Sequence, residues 1–252
     1  MATIAVGDIH GNYAALNDLL RQLKDAVSEG DVVVFLGDYI DRGPHTKECV
    51  DAILALQHEI AAEVVCLCGN HEDWFLRTLR DYHRHSWLLG MEAFDTIRSY
   101  SIDAERMLRD AVSTAGARLF LDDCALPYEV FFDCLPHAHV RFFESLRAYH
   151  QSPDCVCAHG GLDARVSGVQ DQSREALMWG AGGFPSQYVG PESVVYGHWN
   201  NAVLDAGGWP VPSMLGRTIG IDTIAHGVLT AIRMPDRRVF QSARYEACSF
   251  DV

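Results

Sequence analysis

Three short polar stretches constrain this 252-residue chain more than any other feature. They read Gly7-Asp8-Ile9-His10-Gly11, Gly37-Asp38-Tyr39-Ile40-Asp41-Arg42-Gly43 and Gly69-Asn70-His71-Glu72. Each follows an apolar run (residues 3–6, 32–36 and 64–68) that predicts a strand, and each precedes a segment of helical periodicity. The resulting β-α-β-α-β order predicts parallel pairing through right-handed crossovers. Three strand ends then deliver Asp, His and Asn side chains to one sheet edge, the place where α/β sheets bind ligands.

Leu16, Leu19, Leu20, Leu23 and Val27 fall at helical spacing after the first stretch, with Asn12 as a suitable N-cap. Val50, Ile53, Leu54 and Leu56 make a weaker apolar face after the second, with Pro44 near its start. Residues 74–150 are rich in Leu, Arg, Phe and Asp, carry few turn signals and read as mainly helical. A break falls at 133–136 and a short amphipathic helix is expected over 139–149. The segment reads as a cap inserted into one domain spanning 1–252. A strand at 155–158 ends at His159-Gly160-Gly161. The last third reads as β-rich, with strands at 193–196, 218–221, 228–234 and 238–242, a hairpin turn at Pro235-Asp236 and long Gly- and Pro-containing loops over 180–212.

Composition narrows the partners. The formal net charge of −14 disfavours the phosphate backbone of nucleic acid and anionic membranes alike. No segment has the length and apolarity of a membrane span, and the N-terminus has no signal-peptide pattern, so a cytoplasmic protein is expected. Of the eight cysteines, Cys66 with Cys68 and Cys155 with Cys157 alternate in predicted strands. They are expected to be buried and reduced, because Cys-x-Cys lacks the spacing of a structural zinc site.

Five strand ends carry polar ligands: Asp8 with His10, Asp38, Asn70, His159 and His198. Buried carboxylates are costly unless they are paired or hold a metal. Carboxylate, imidazole and amide donors without thiolate suit Mn, Fe or Zn, with Mn²⁺ preferred here. A pair of such ions beside an arginine suits phosphate ester chemistry.

In order and spacing these motifs, with His-Gly-Gly and Gly-His closing the set, resemble the metallophosphoesterases of the phosphoprotein phosphatase type. The bacterial serine/threonine phosphatase and symmetrical diadenosine tetraphosphatase branch shares them. The resemblance runs from Asp8 to His198, and Ile221-Asp222-Thr223 and Leu229-Thr230-Ala231 extend it. It implies a four-layered α/β/β/α sandwich with a helical cap and two divalent metal ions. Asp8, His10 and Asp38 would hold one ion; Asp38, Asn70, His159 and His198 would hold the other. It further implies direct attack by a metal-bridging hydroxide, with His71 as general acid, Asp41 orienting His71, and Arg42 gripping the phosphate. Phosphoserine and phosphothreonine monoesters, or small phosphoesters, are the leading substrates. Dinucleoside polyphosphates are the alternative, and a non-catalytic phosphate-binding protein is a third reading.

The sequence departs from that pattern in places. A second phosphate-binding arginine after a Leu-Trp pair is missing from Leu177-Met178-Trp179-Gly180, and Arg174 and Arg165 read as surface residues. Trp199 follows His198 where Thr-Pro is common, and fits either a cleft wall or core filler. His226 reads as a surface residue, and Glu72 as either a brace for a neighbouring loop or an acid at a helix start. Arg77, Arg80, Arg84, Trp87 and Arg98 offer a cap surface for nucleotide stacking and cationic grip.

Overall fold

The computed structural model describes residues 1–121 and 124–246. Its first part runs β1 (Thr3–Val6), α1 (Tyr13–Ala26), β2 (Val32–Phe35), α2 (Thr46–Glu59) and β3 (Glu63–Cys66). Seven helices follow: α3 (Asn70–Arg80), α4 (Ser86–Gly90), α5 (Phe94–Tyr100), α6 (Ile102–Ala115), α7 (Arg118–Leu121), α8 (Glu129–Phe132) and α9 (His137–Glu144). Then come β4 (Tyr149–Gln151), β5 (Val156–Ala158), α10 (Arg174–Trp179), β6 (Val194–Tyr196), β7 (Val203–Leu204) and β8 (Pro210–Val211). The chain continues through β9 (Ser213–Leu215), β10 (Thr218–Gly220), β11 (Thr230–Met234) and β12 (Arg238–Gln241).

Ten of these strands form two five-stranded sheets, ordered β12-β11-β1-β2-β3 and β4-β5-β6-β10-β9. The middle of each is parallel: β1 with β2 and β2 with β3 in one, β5 with β6 and β6 with β10 in the other. The period of two sorts side chains between layers. Ala5, Val34 and Leu36 of the first sheet meet Cys157, Val195 and Ile219 of the second in one dry cluster. Ile4, Val6, Val33 and Phe35 point the other way, onto Leu16, Leu19 and Leu23 of α1 and Val50 and Ile53 of α2. On the far side, Val156, Ala158 and Val194 pack against Leu177 of α10 and against Leu162 in the loop after β5. The result is the expected α/β/β/α order. Asn12 caps α1, its side chain accepting from Ala15 N at 3.1 Å.

The helices of 74–150 bury their apolar faces in the same cluster as α1 and α2. Phe75 lies fully buried at the centre, with Trp87, Phe131, Phe132 and Phe143 rings 4.7–6.4 Å away. The helix expected over 139–149 differs: α9 starts at His137 and ends at Glu144. Beyond it, Leu67 and Arg147 form a parallel bridge beside the end of β3, and Tyr149 opens β4, paired with β5. Sheet pairing therefore takes the last residues from the helix. The long loops of 180–212 are present, interrupted by β6 and by the two-residue strands β7 and β8. No helix among the described residues is long and apolar enough to cross a membrane.

Candidate metal centre and catalytic site

The parallel strands of both sheets end on the same edge. Asp8 lies beyond β1, Asp38 beyond β2, Asn70 beyond β3, His159 beyond β5, His198 beyond β6 and Asp222 beyond β10. Two glycines let these chains crowd together. A Cβ on Gly69 would strike the Asp38 carboxylate, and one on Gly197 would strike that of Asp8. The backbone is forced into the left-handed region at His10, Asp38, Asp41, Arg42 and His198, with φ between +45° and +74°. Such conformations cost roughly 1–3 kcal/mol each and concentrate at functional sites.

Asp38 is the centre of the cluster. Its Oδ2 lies 3.4 Å from His159 Nε2, 3.5 Å from His10 Nε2 and 3.8 Å from His71 Nε2. Asp38, His159 and His198 form one group with converging donor atoms; His10, Asp38 and His71 form another. His71 thus stands in the second trio where the sequence expectation has Asp8. Asp8 sits beside His198 instead, its Oδ2 accepting from the His198 backbone N–H at 3.0 Å. His10 and His159 face the carbonyls of Ile40 and Leu36 with Nδ1, which aims Nε2 of both at Asp38. Asn70 Oδ1 is 2.9 Å from His159 Nε2.

This donor set fits divalent metals. Asp8 Oδ1, His198 Nε2 and Asp222 Oδ1 are buried without a hydrogen-bond partner. Burial, then the charges of Asp222 and Asp38, push the Asp8 carboxyl well above its usual range, so three acids share too few cations. Burial and Arg42 hold His10 well below its usual pKa, and burial and His159 lower His198 to about 3, which leaves both imidazoles neutral and able to coordinate.

His71 differs in character. Burial works against its charged form, but Asp38 and the hydrogen bond to Asp41 outweigh it, and its pKa is raised. Its Nδ1 donates to Asp41 Oδ2 at 2.8 Å, leaving buried Nε2 directed at the cluster. Asp41 also accepts from Trp87 Nε1 at 3.0 Å and Thr96 Oγ1 at 2.7 Å. These two helix residues carry no sequence signal of such a role. Trp87 is fully buried and so offers no stacking surface, contrary to the sequence expectation. Glu72 proves to be a brace: its carboxylate accepts from the backbone N–H groups of Asp38, Tyr39, Ile40 and Gly69 at 2.8–3.3 Å. Burial pushes its pKa up to about 7.

Arg42 is the cation at the cluster, with Nη1 2.9 Å from His10 Nε2 and Nε 3.8 Å from Glu92. Arg165 pairs with Asp163 on the surface, and Arg174 pairs with Asp73 at 3.0 Å. Arg84 and Arg98 are engaged by Asp81 and Glu105. Trp199 is 57 % exposed, with its ring centroid 4.2 Å from that of His198, so it is no core filler. His226 is half-buried in a short turn after Thr223. Asp222 escaped selection as a site residue although it carries the signal used for the others, an acid just beyond an apolar strand.

Over 70 residues the chain is 39 % identical to the serine/threonine-protein phosphatase BSL2 of Arabidopsis thaliana, which is 26 % of this chain and 7 % of that protein. Over 96 % of both chains it is 39 % identical to the symmetrical bis(5'-nucleosyl)-tetraphosphatase of Janthinobacterium sp. (strain Marseille). The crystal structure of a putative diadenosine tetraphosphatase shares the fold, with a TM-score of 0.58, 22 % identity and coverage of 95 % of this chain and 92 % of that one. The calcineurin-like phosphoesterase family matches residues 1–227, a span that holds every strand end of the cluster and stops before β11 and β12, and the chain belongs to that family.

Proposed function

We propose that this chain hydrolyses phosphoric esters with two divalent metal ions held at the strand ends. Asp8, His10 and Asp38 hold one; Asp38, Asn70, His159 and His198 hold the other. The observation that carries this is the convergence of three imidazole nitrogens on Asp38 Oδ2 within 3.8 Å, beside a His71–Asp41 pair at 2.8 Å. Metals bound there acidify a water and neutralise phosphate charge; Mn²⁺ is preferred, and Fe or Zn also suits the donors.

The protein's own groups do the rest. Arg42 grips the phosphate oxygens with charge-assisted hydrogen bonds. Asp41 holds the His71 ring, and His71 Nε2 gives its proton to the leaving oxygen. Residues 1–252 act as one domain in the cytoplasm, with 74–150 as a cap whose α4 and α5 reach Asp41.

Phosphoserine and phosphothreonine monoesters are the leading substrates, on the resemblance of the motif set. Dinucleoside polyphosphates are a second reading, favoured by likeness to the Janthinobacterium protein over 96 % of both chains. The test is turnover by Mn²⁺-reconstituted protein on a phosphothreonine peptide and on diadenosine tetraphosphate, with Asp38→Asn as control. Phosphate or nucleotide release by the parent, lost in the variant, is expected. Equal turnover by both proteins would overturn the assignment of Asp38.

A further inference from the structure

A cavity of about 370 Å³ opens beside the metal centre, lined by Asp73, Trp74, Arg77, Arg174, Glu175 and Trp179. Its size suits part of a small molecule. It lies between α3, which begins at Asn70, and α10. Trp74 and Trp179 meet with ring centroids 5.0 Å apart, and both are half-buried. Trp179 then contacts the His198 ring at 5.8 Å, and His198 contacts Trp199 at 4.2 Å. A row of aromatic rings therefore leads from the cavity to the cluster.

The charges in the cavity are internally matched. Asp73, nearly buried, takes Arg77 at 2.6 Å and Arg174 at 3.0 Å, and Glu175 brings a second acid. Two guanidinium groups against two carboxylates leave no net charge, so the cavity selects for a neutral ring rather than a second phosphate. Tryptophan faces supply stacking, tethered arginines add planar cations, and Glu175 is an acceptor for an exocyclic amine. Trp179 lies between the cavity and the strand-end cluster, its ring 5.8 Å from that of His198, so a group bound here sits at least one ring contact away from the cluster. A sugar-phosphate chain spans such a gap, whereas a phosphoserine joins its phosphate to the peptide backbone through one carbon.

We infer that this cavity is a leaving-group subsite that stacks a nucleobase on Trp74 and Trp179. The inference rests on the phosphoesterase reading above and gives its second substrate class a place to bind. The test compares parent, Trp74→Ala, Trp74→Phe and Arg77→Glu proteins, loaded with Mn²⁺. Specificity is read as the ratio of kcat/KM for diadenosine tetraphosphate to that for a phosphothreonine peptide. The ratio is expected to fall about tenfold or more in Trp74→Ala, the scale of one lost base stack, and to recover largely in Trp74→Phe. Adenosine 5′-diphosphate titrated into the metal-free protein is expected to quench tryptophan fluorescence, more in the parent than in Trp74→Ala. Turnover of both substrates with an unmoved ratio and unaltered quenching would overturn the subsite and leave the phosphoesterase reading standing. Normal quenching without turnover of either substrate would overturn the phosphoesterase reading and support the subsite. A misfolded Trp74→Ala leaves the decision to Arg77→Glu, in which an unmoved ratio counts against the subsite.

Discussion

His71 and His159 both carry raised pKa values, with opposite consequences. Burial opposes the charge on His71, but Asp38 and the hydrogen bond to Asp41 raise its pKa, as the proposed role of acid requires. His71→Asn is therefore expected to keep its metal content and to lose about 10²–10⁴-fold in kcat on a phosphothreonine peptide. Metal analysis beside the kinetics checks this, and a coincident loss of metal would move His71 into the ligand set. Burial opposes the charge on His159, but Asp38 and then Asp8 raise its pKa to about 9 in the metal-free protein. Coordination has to expel that proton. Metal affinity should then climb about tenfold per pH unit up to about pH 9 and level off above, as chelator competition would show. The stability sign is the reverse. The raised pKa stabilises the metal-free fold fully below the ordinary value of 6.5, and that gain is lost as pH rises through about 9. The convergence of polar side chains at the strand ends was legible because each follows an apolar run, and several together defeat an explanation from core packing. Trp87 and Thr96 were not, because a single donor on a helix looks like any other helical residue until the fold brings it to Asp41.

At the level of elements, the small helices α4 and α5 supply two of the three side-chain donors on Asp41. A buried hydrogen bond to a charged group contributes about 1.5–3 kcal/mol. Thr96→Val and Trp87→Phe are expected to lower kcat about 10–100-fold with little change in KM, and to shift the pH profile of kcat. A change confined to KM would remove their link to Asp41. Phe75, enclosed by four aromatic rings from α4, α8 and α9, holds α3 against the other cap helices. Phe75→Ala should destabilise by about 3–5 kcal/mol in denaturant titrations. Long elements were readable from periodicity. β4 and β7 to β9 were not: they lie at sheet edges or in the two-stranded ribbon, are largely exposed or half-buried, and lack the buried apolar run that marked the equally short β5, β6 and β10. The boundary between α9 and β4 was set by pairing with Leu67, distant in sequence, and with β5 in a neighbouring hairpin, neither of which helical periodicity reveals.

For the molecule as a whole, the cluster joins both sheets, since Asp8, Asp38 and Asn70 belong to one and His159, His198 and Asp222 to the other. Metal bound across that seam stabilises the folded state alone. At a hundredfold excess over Kd this contributes about 2.7 kcal/mol, so chelation should lower Tm by roughly 5–10 °C for a chain of this length. An unchanged Tm after complete stripping would show that the seam closes without metal. The four-layer order could be anticipated from the motif set; the contribution of β10, whose acid joins the cluster from the second sheet, was overlooked although Asp222 carries the same strand-end signal.

The aromatic cavity has a consequence for how such a protein diversifies. Trp74 stands one turn beyond Asn70 on α3, and Trp179 closes α10 on the outer face of the second sheet. Neither is among the groups assigned to hold metal or move a proton. Drift in α10 and the exposed side of α3 can therefore exchange one clientele of leaving groups for another while the hydrolytic machinery is inherited unchanged.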